Sequence, residues 1–347
     1  MPAAGAGRRG VVRRSGVVIG LACAASAASA CAVCDDTSDA VGANQRGCRQ
    51  CPDVAPGATA SSPLPSSPSS PRCPLFAGGR RLGVVANTEL KEASGMVASR
   101  QNPGVLWSHN DSGGTPTLFA MSFGGADLGT YEVPGVRAED WEDIALGPAP
   151  ELGDWYLYVG DTGTNTRTRD YVEVHRILEP EVELGQRAGV HEVDRVGSLR
   201  IRFPDSSPPD GEALLVDPRD GDLYLIPKSE MGELGLYRAT AAAMARREIL
   251  LEHVGTVRMP ETGFQLVTAG DISPDGAWIL LRTYLDVYLW PRQPGQSVAE
   301  ALTREPCFAP RKAEPQGESI AWVPSGQGYF TMSEGDRSPI YFFERLR

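Results

Sequence analysis

A unit recurs five times between residue 92 and the C-terminus, and it constrains the fold more than any other feature of this chain. A leading polar residue opens an apolar run, a Pro/Gly turn reverses the chain, and an aromatic-rich run returns. The copies begin at Glu92 (EASGMVASRQNPGVLWSHND), Glu142 (EDIALGPAPELGDWYLYVGD), Glu212 (EALLVDPRDGDLYLIPKSE), Thr268 (TAGDISPDGAWILLRTY) and Glu318 (ESIAWVPSGQGYFTMSE). In the fourth copy a bare Gly-acid match would select Asp271. Aligning the turn Ser273–Gly276 with Asp217–Gly221 selects Thr268 instead.

Each copy has room for four short strands, which in the first fall at 94–99, 104–109, 117–123 and 126–133. Four-stranded units repeated about an axis make a propeller. The expected fold class is therefore all-β, a five-bladed β-propeller over residues 80–347. The last copy supplies strands at 318–323, 328–333 and 338–344 and then the chain stops. Residues 82–90 (LGVVANTEL) are expected to supply its fourth strand, closing the ring so that no open edge remains. Ser297 to Glu300 reads as a capping box opening a short helix, and Ala239–Arg247 as a second helical insert.

The segment before the propeller has another character. Arg8, Arg9, Arg13 and Arg14 precede an apolar run, Val17 to Ala30, that is too short to cross a bilayer and ends in Ala28-Ser29-Ala30. Residues 1–30 therefore read as an export signal peptide. Cleavage after Ala30 leaves Cys31 first, which allows a lipid anchor at Cys31 or plain secretion. Residues 31–79 read as a Cys-containing, Pro/Ser-rich disordered linker. The pairs Cys31/Cys34 and Cys48/Cys51 have zinc-ribbon spacing, but an exported chain favours disulfides. Cys73 and Cys307 are left over, and a link between them would tie the linker to the propeller. The expected location is the cell envelope, lipid-anchored, or the exterior, with the propeller a monomer. A formal net charge of −11 repels phosphate backbones, so nucleic acid is not an expected polymer partner.

Propeller geometry sends two sets of residues to one face. The starts of the innermost strands ring the channel mouth: Glu92, Glu142, Glu212, Thr268 and Glu318. The ends of the antiparallel second strands lie beside them: His109, Asn110, Asp111, Asp161, Lys228, Arg282 and Glu334. Carboxylates crowded around a narrow channel cannot all stay ionised without a counter-charge. An oxygen-only donor set suits a hard divalent cation, calcium above zinc, although such acids can equally cap strand starts. Lys228 and Arg282 either balance neighbouring acids or grip a small anionic ligand. Asp161 and His109 are the candidates for acid–base chemistry. Trp107, Tyr158, Tyr224, Trp278 and Tyr329 read as packing between blades. Gly317-Glu-Ser-Ile-Ala321 approaches a nucleophile elbow, but the strand that follows is not the helix such an elbow needs.

The runs EASG at Glu92–Gly95, WSHNDSGG at Trp107–Gly114, DWEDIA at Asp140–Ala145 and YVGDTG at Tyr158–Gly163 resemble a set of exported bacterial β-propellers. The one-per-blade ring of Glu and hydroxyl residues is also similar to the five-bladed calcium-activated nucleotidases, the apyrases, and more loosely to β-propeller phytases. The second resemblance implies that Glu92, Glu142, Glu212, Thr268 and Glu318 hold calcium and that phosphoesters are cleaved on that face. Two functions are thus expected as alternatives. One is an envelope propeller that binds a cation together with a ligand or envelope protein. The other is a calcium-dependent phosphohydrolase acting on nucleotides or other phosphoesters, with Asp161 or Glu142 activating water.

Overall fold

A computed structural model describes residues 73–346, apart from 112–113, 150–153, 165–168, 205–207, 230–233 and 263–265. The segment expected to be an export signal, the Cys31–Cys51 group and most of the expected Pro/Ser-rich linker lie outside the described residues.

The fold is an all-β propeller of five blades. From the channel outward, blade one is Ala93–Ala98, Val105–Asn110, Thr117–Ser122 and Asp127–Glu132. Blade two is Trp141–Ala149, Asp154–Asp161, Val172–Leu178 and Val196–Arg202. Blade three is Gly211–Val216, Leu223–Pro227, Leu234–Ala239 and Glu252–Val257. Blade four is Val267–Ile272, Trp278–Thr283, Val287–Pro291 and Cys307–Ala309. Blade five is Gly317–Trp322, Gly328–Ser333 and Pro339–Glu344, with Arg80–Val84 paired antiparallel on its outer edge.

That outer strand lies somewhat earlier than the expected 82–90, and ordered contacts begin earlier still. Cys73 forms a disulfide with Cys307, in the outer strand of blade four. Phe76 bridges to Arg345. Blades are also laced to their neighbours. Val190–Glu192, from a connection within blade two, adds a parallel strand to blade one. Glu248–Leu250, from a connection within blade three, does the same for blade two.

The innermost strands of blades one, three, four and five are short and rich in Ala, Gly and Ser, because five backbones must meet at the axis. They are buried on both faces, which explains why they read as apolar runs rather than alternating patterns. The hydrophobic core is divided into five wedges, one at each junction of neighbouring blades. Trp107, Tyr158, Tyr224, Trp278 and Tyr329 all pack into these wedges. The helical inserts are a 3-10 turn at Ala243–Ala245 and a short helix at Val298–Leu302, the latter opened by a reciprocal Ser297/Glu300 capping box.

One irregularity repeats in every blade. The ladder between first and second strands slips just after its first pair: between Ala93 and Met96, Trp141 and Ile144, Gly211 and Ala213, Val267 and Ala269, and Gly317 and Ser319. A β-bulge bends its strand and re-aims the unpaired side chain. The first residue inside each bulge is Ser94, Glu142, Glu212, Thr268 or Glu318. These, rather than the plain strand starts, form the polar ring of the channel.

A candidate metal centre at the channel mouth

The bulges fix the register of the ring. Blade one presents Ser94, not Glu92, at the position equivalent to Glu142. Glu92 lies two residues earlier and is exposed. Its carbonyl accepts the Asp111 amide at 2.8 Å, as the Asp210 carbonyl accepts Lys228 N at 2.7 Å and the Gln316 carbonyl accepts Glu334 N at 3.0 Å. Glu92, Asp140, Asp210 and Gln316 therefore form a second tier, each two residues ahead of the bulge residue of its blade.

The two hydroxyls of the ring serve the backbone. Ser94 Oγ donates to the Glu142 carbonyl, and Thr268 Oγ1 donates to the Gly317 carbonyl at 2.8 Å. Each ties its blade to the next. The carboxylates behave differently. Ligand atoms of Asp111, Asp140 and Glu142 lie within 4.8 Å of one another, and so do those of Glu142, Asp210 and Glu212. Glu142, 7 % exposed, belongs to both sets. Gly163 lies directly against Glu142 Oε1 and the Asp140 carboxyl, where any side chain would collide. Thr164 N donates to Asp210 Oδ1 at 2.8 Å.

The electrostatics follow from burial and like charge. Burial first, then Glu212, Asp111, Asp140 and Asp210, push the Glu142 carboxyl up to about 11. Glu212 is pushed up to about 8, again mainly by burial, with Lys228 pulling it down and Asp210 pushing it up. Lys228 Nζ donates to Glu212 Oε1 and sits 5.2 Å from the Tyr284 ring centre. Burial works against the Lys228 ammonium, but Glu212 outweighs it and raises its pKa. Across the mouth, Gln316 Nε2 donates to Glu318 Oε1 at 2.9 Å. Burial and the neighbouring Glu318 push Glu334 up to about 9, and Asp111 and Glu92 add to the effect. Asp111 thus lies between two acidic groups and raises both Glu142 and Glu334.

The remaining second-strand residues do not all reach this face. Arg282 is 2 % exposed and committed inward, donating to Glu314 Oε2 at 2.6 Å and to the Ser319 carbonyl at 3.1 Å. This is the charge-balancing alternative, and the guanidinium is not open to a ligand. Asn110 organises backbone: its Oδ1 accepts the amides of Lys91 and Glu92, both at 3.0 Å. His109 is fully buried, edge-on to Trp141 at 5.5 Å between ring centres, with Nδ1 at 2.9 Å from the Asn110 carbonyl. Burial pulls it down to about 4, so it is neutral near pH 7. Asp161 is buried in the seam between blades one and two, outside both acid sets. It accepts the amides of Glu139 and Asp140, each at 3.1 Å, and the Arg169 guanidinium at 2.7 Å.

Asp140 and Asp210 were not singled out from sequence. The available signal was the spacing two residues before the ring, where Glu92, Asp140, Asp210 and Gln316 are all polar.

Comparison with known proteins assigns no family. No family model matches the chain, and no curated protein matches it. Among solved structures, "Structure of U3-55K" is 11 % identical at a TM-score of 0.37, covering 78 % of this chain and 100 % of that one. "Crystal structure of RRP9 WD40 repeats" is 11 % identical at 0.38, covering 79 % and 99 %. A gluconolactonase, XC5397 from Xanthomonas campestris, is 12 % identical at 0.41, covering 81 % and 99 %.

Proposed function

We propose that this chain is an exported cell-envelope propeller that holds a divalent cation, calcium by preference, at its channel mouth and engages a small ligand or protein partner on that face. One observation carries the reading. Glu142 is shared by two carboxylate groups whose ligand atoms lie within 4.8 Å of one another, and Gly163 packs directly against the Glu142 and Asp140 carboxyls, where a Cβ would collide with them. Oxygen donors alone, several of them carboxylates, suit a hard cation. Asp111, Asp140, Glu142, Asp210 and Glu212 would hold it. Binding would displace Lys228 from Glu212 and expel the proton that burial and crowding keep on Glu142.

A phosphohydrolase finds less support. Arg282, which such an enzyme would need for the phosphate oxygens, is consumed by Glu314, and Asp161 is consumed by Arg169 and two amides. Lys228, once released from Glu212, is the cation remaining for such a role.

Calorimetric titration of the metal-stripped protein with calcium tests the reading. Saturable binding is expected, with proton release revealed by its dependence on buffer ionisation enthalpy, and with affinity at least tenfold weaker in Glu142→Gln. An absence of binding heat, together with a melting temperature indifferent to calcium and chelator, would sink it. Incubation with nucleotides and inositol phosphates, with calcium or chelator, separates binder from hydrolase.

A further inference from the structure

A cavity of about 660 Å³ opens in the seam of blades one and two, lined among others by Arg137, Glu139, Asp161, Arg169, Glu173 and Ser198. A second cavity of about 280 Å³ adjoins it and shares Glu173 and Ser198. Exposed Ser198 therefore stands between two spaces.

The strands of blade two place a base behind this serine. His175 is the direct cross-strand partner of Ser198 on one side and of Val159 on the other. Asp161 follows Val159 by two residues, so it projects from the same face of the sheet. His175 Nδ1 lies 2.9 Å from Ser198 Oγ. On the far side of the ring, Nε2 is 4.0 Å from Asp161 Oδ2, and the Arg137 carbonyl also faces the imidazole. Among the described residues Nε2 makes no hydrogen bond, and Asp161 is the acid nearest to it; a ring proton on Nε2, facing that carboxylate, would leave the Nδ1 lone pair toward the serine hydroxyl. Burial, partly opposed by Asp161, lowers the pKa of His175, which keeps the ring neutral and able to accept a proton. A buried histidine capped by a serine can be a packing feature alone. What distinguishes this one is that its serine opens onto the cavities while a guanidinium-held carboxylate stands behind its other nitrogen. The 4.0 Å separation exceeds a hydrogen bond, but such contacts are often loose in a free enzyme and tighten with substrate.

We propose that this seam is a second site, one that hydrolyses a small polar carboxylic ester, with Ser198 as nucleophile, His175 as base and Asp161 as the residue that positions His175. Ser198 Oγ adds to the ester carbonyl carbon while its proton passes to His175 Nδ1. The tetrahedral adduct collapses by breaking the carbon–oxygen bond to the alcohol, which leaves with that proton. Water then attacks the acyl-serine through the same base, releasing the acid and restoring Ser198. Exposed Arg137 in the larger cavity, and exposed Arg200 and Arg247 in the smaller one, are cationic groups available to the acyl oxygens or to a carboxylate on the substrate. The two cavities divide the acyl and alcohol halves.

A fluorophosphonate probe applied to the folded full-length protein, followed by peptide mass spectrometry, tests the proposal. Labelling is expected at Ser198, absent in Ser198→Ala, at least tenfold slower in His175→Gln, and unchanged by chelator. That last result separates this site from the acidic mouth. In Asp161→Asn the rate should fall while its pH midpoint moves down, because loss of the nearby carboxylate lowers the His175 pKa; a merely structural role would not move the midpoint. No labelling of Ser198 in the folded protein, or labelling at equal rate in His175→Gln or after unfolding, would overturn the proposal.

Discussion

The carboxylate of Asp143 accepts the amide of Gly270 at 3.0 Å, joining the inner strands of blades two and four. The same Oδ2 atom accepts Leu214 N at 3.0 Å from blade three, while Oδ1 accepts Ile144 N at 2.8 Å. Blade one makes room for it. Gly95, at φ +80°, lies so close that a Cβ would sit 2.9 Å from Asp143 Oδ1. A side chain from one bulge thus serves backbone donors of three blades and rests on a fourth.

Removing this acceptor leaves buried amides unsatisfied, each worth about 1–3 kcal/mol. Asp143→Ala should lower unfolding stability by about 3 kcal/mol or more in urea titration, and Asp143→Asn, which retains one acceptor oxygen, by clearly less. Gly95→Ala should destabilise as well, since it combines a left-handed backbone with a collision against Asp143. Equal stability of Asp143→Ala and wild type would remove the axial role.

The acids of the mouth and channel set the pH dependence. Burial raises Asp271 to about 7, Glu212 to about 8, Glu334 to about 9 and Glu142 to about 11. Raised carboxyl pKa values mean that the folded chain holds protons that the unfolded chain has released. Stability therefore falls as pH rises above the ordinary carboxylate range toward these values. The metal-free protein should melt at progressively lower temperature between about pH 5 and pH 9. Saturating calcium should flatten that decline, because a bound cation replaces the protons. Scanning calorimetry across this range, with chelator and with calcium, checks both arms.

Gly163 offers a test of the cation position that removes no ligand. A methyl group there would run into Glu142 Oε1 and the Asp140 carboxyl. Gly163→Ala should weaken calcium binding at least tenfold by calorimetry while circular dichroism remains that of a folded β-protein. Undiminished affinity would place the ion elsewhere.

The Arg282–Glu314 pair is buried on both sides, at 2 % and 7 % exposure. Thr331 Oγ1 also donates to Glu314 Oε1 at 3.2 Å. Deleting one partner strands the other charge, at a cost of about 3–5 kcal/mol. Glu314→Leu should lose stability on that scale in denaturant titration, and Arg282→Met combined with Glu314→Leu should lose much less. Additive losses would mean that the two residues act independently.

The propeller, its five copies and the sites of its turns are legible in the chain alone, because these rest on local chemistry. Strand-length apolar runs, Pro/Gly reversals and regular spacing need no partner to be read. The equivalence of Glu142, Glu212, Thr268 and Glu318 can also be read from the chain, since those copies align over their turns, and each falls inside the bulge of its blade. Blade one escaped. Glu92 and Ser94 are both polar, two residues apart and on the same side of a strand, and only the bulge opposite His109 decides that Ser94 enters the ring. Which charges are paired emerges only once the ring has closed. Arg282 looks like a rim cation until Glu314, 32 residues away, is brought to 2.6 Å. Asp161 and His109 look like neighbours on a working face until one is bound by Arg169 and the other is packed against Trp141. The same folding gathered Asp111, Asp140, Glu142, Asp210 and Glu212 at one mouth and set His175 beside Ser198. Burial and partnership are long-range properties of a closed ring, and no local pattern in the chain records them.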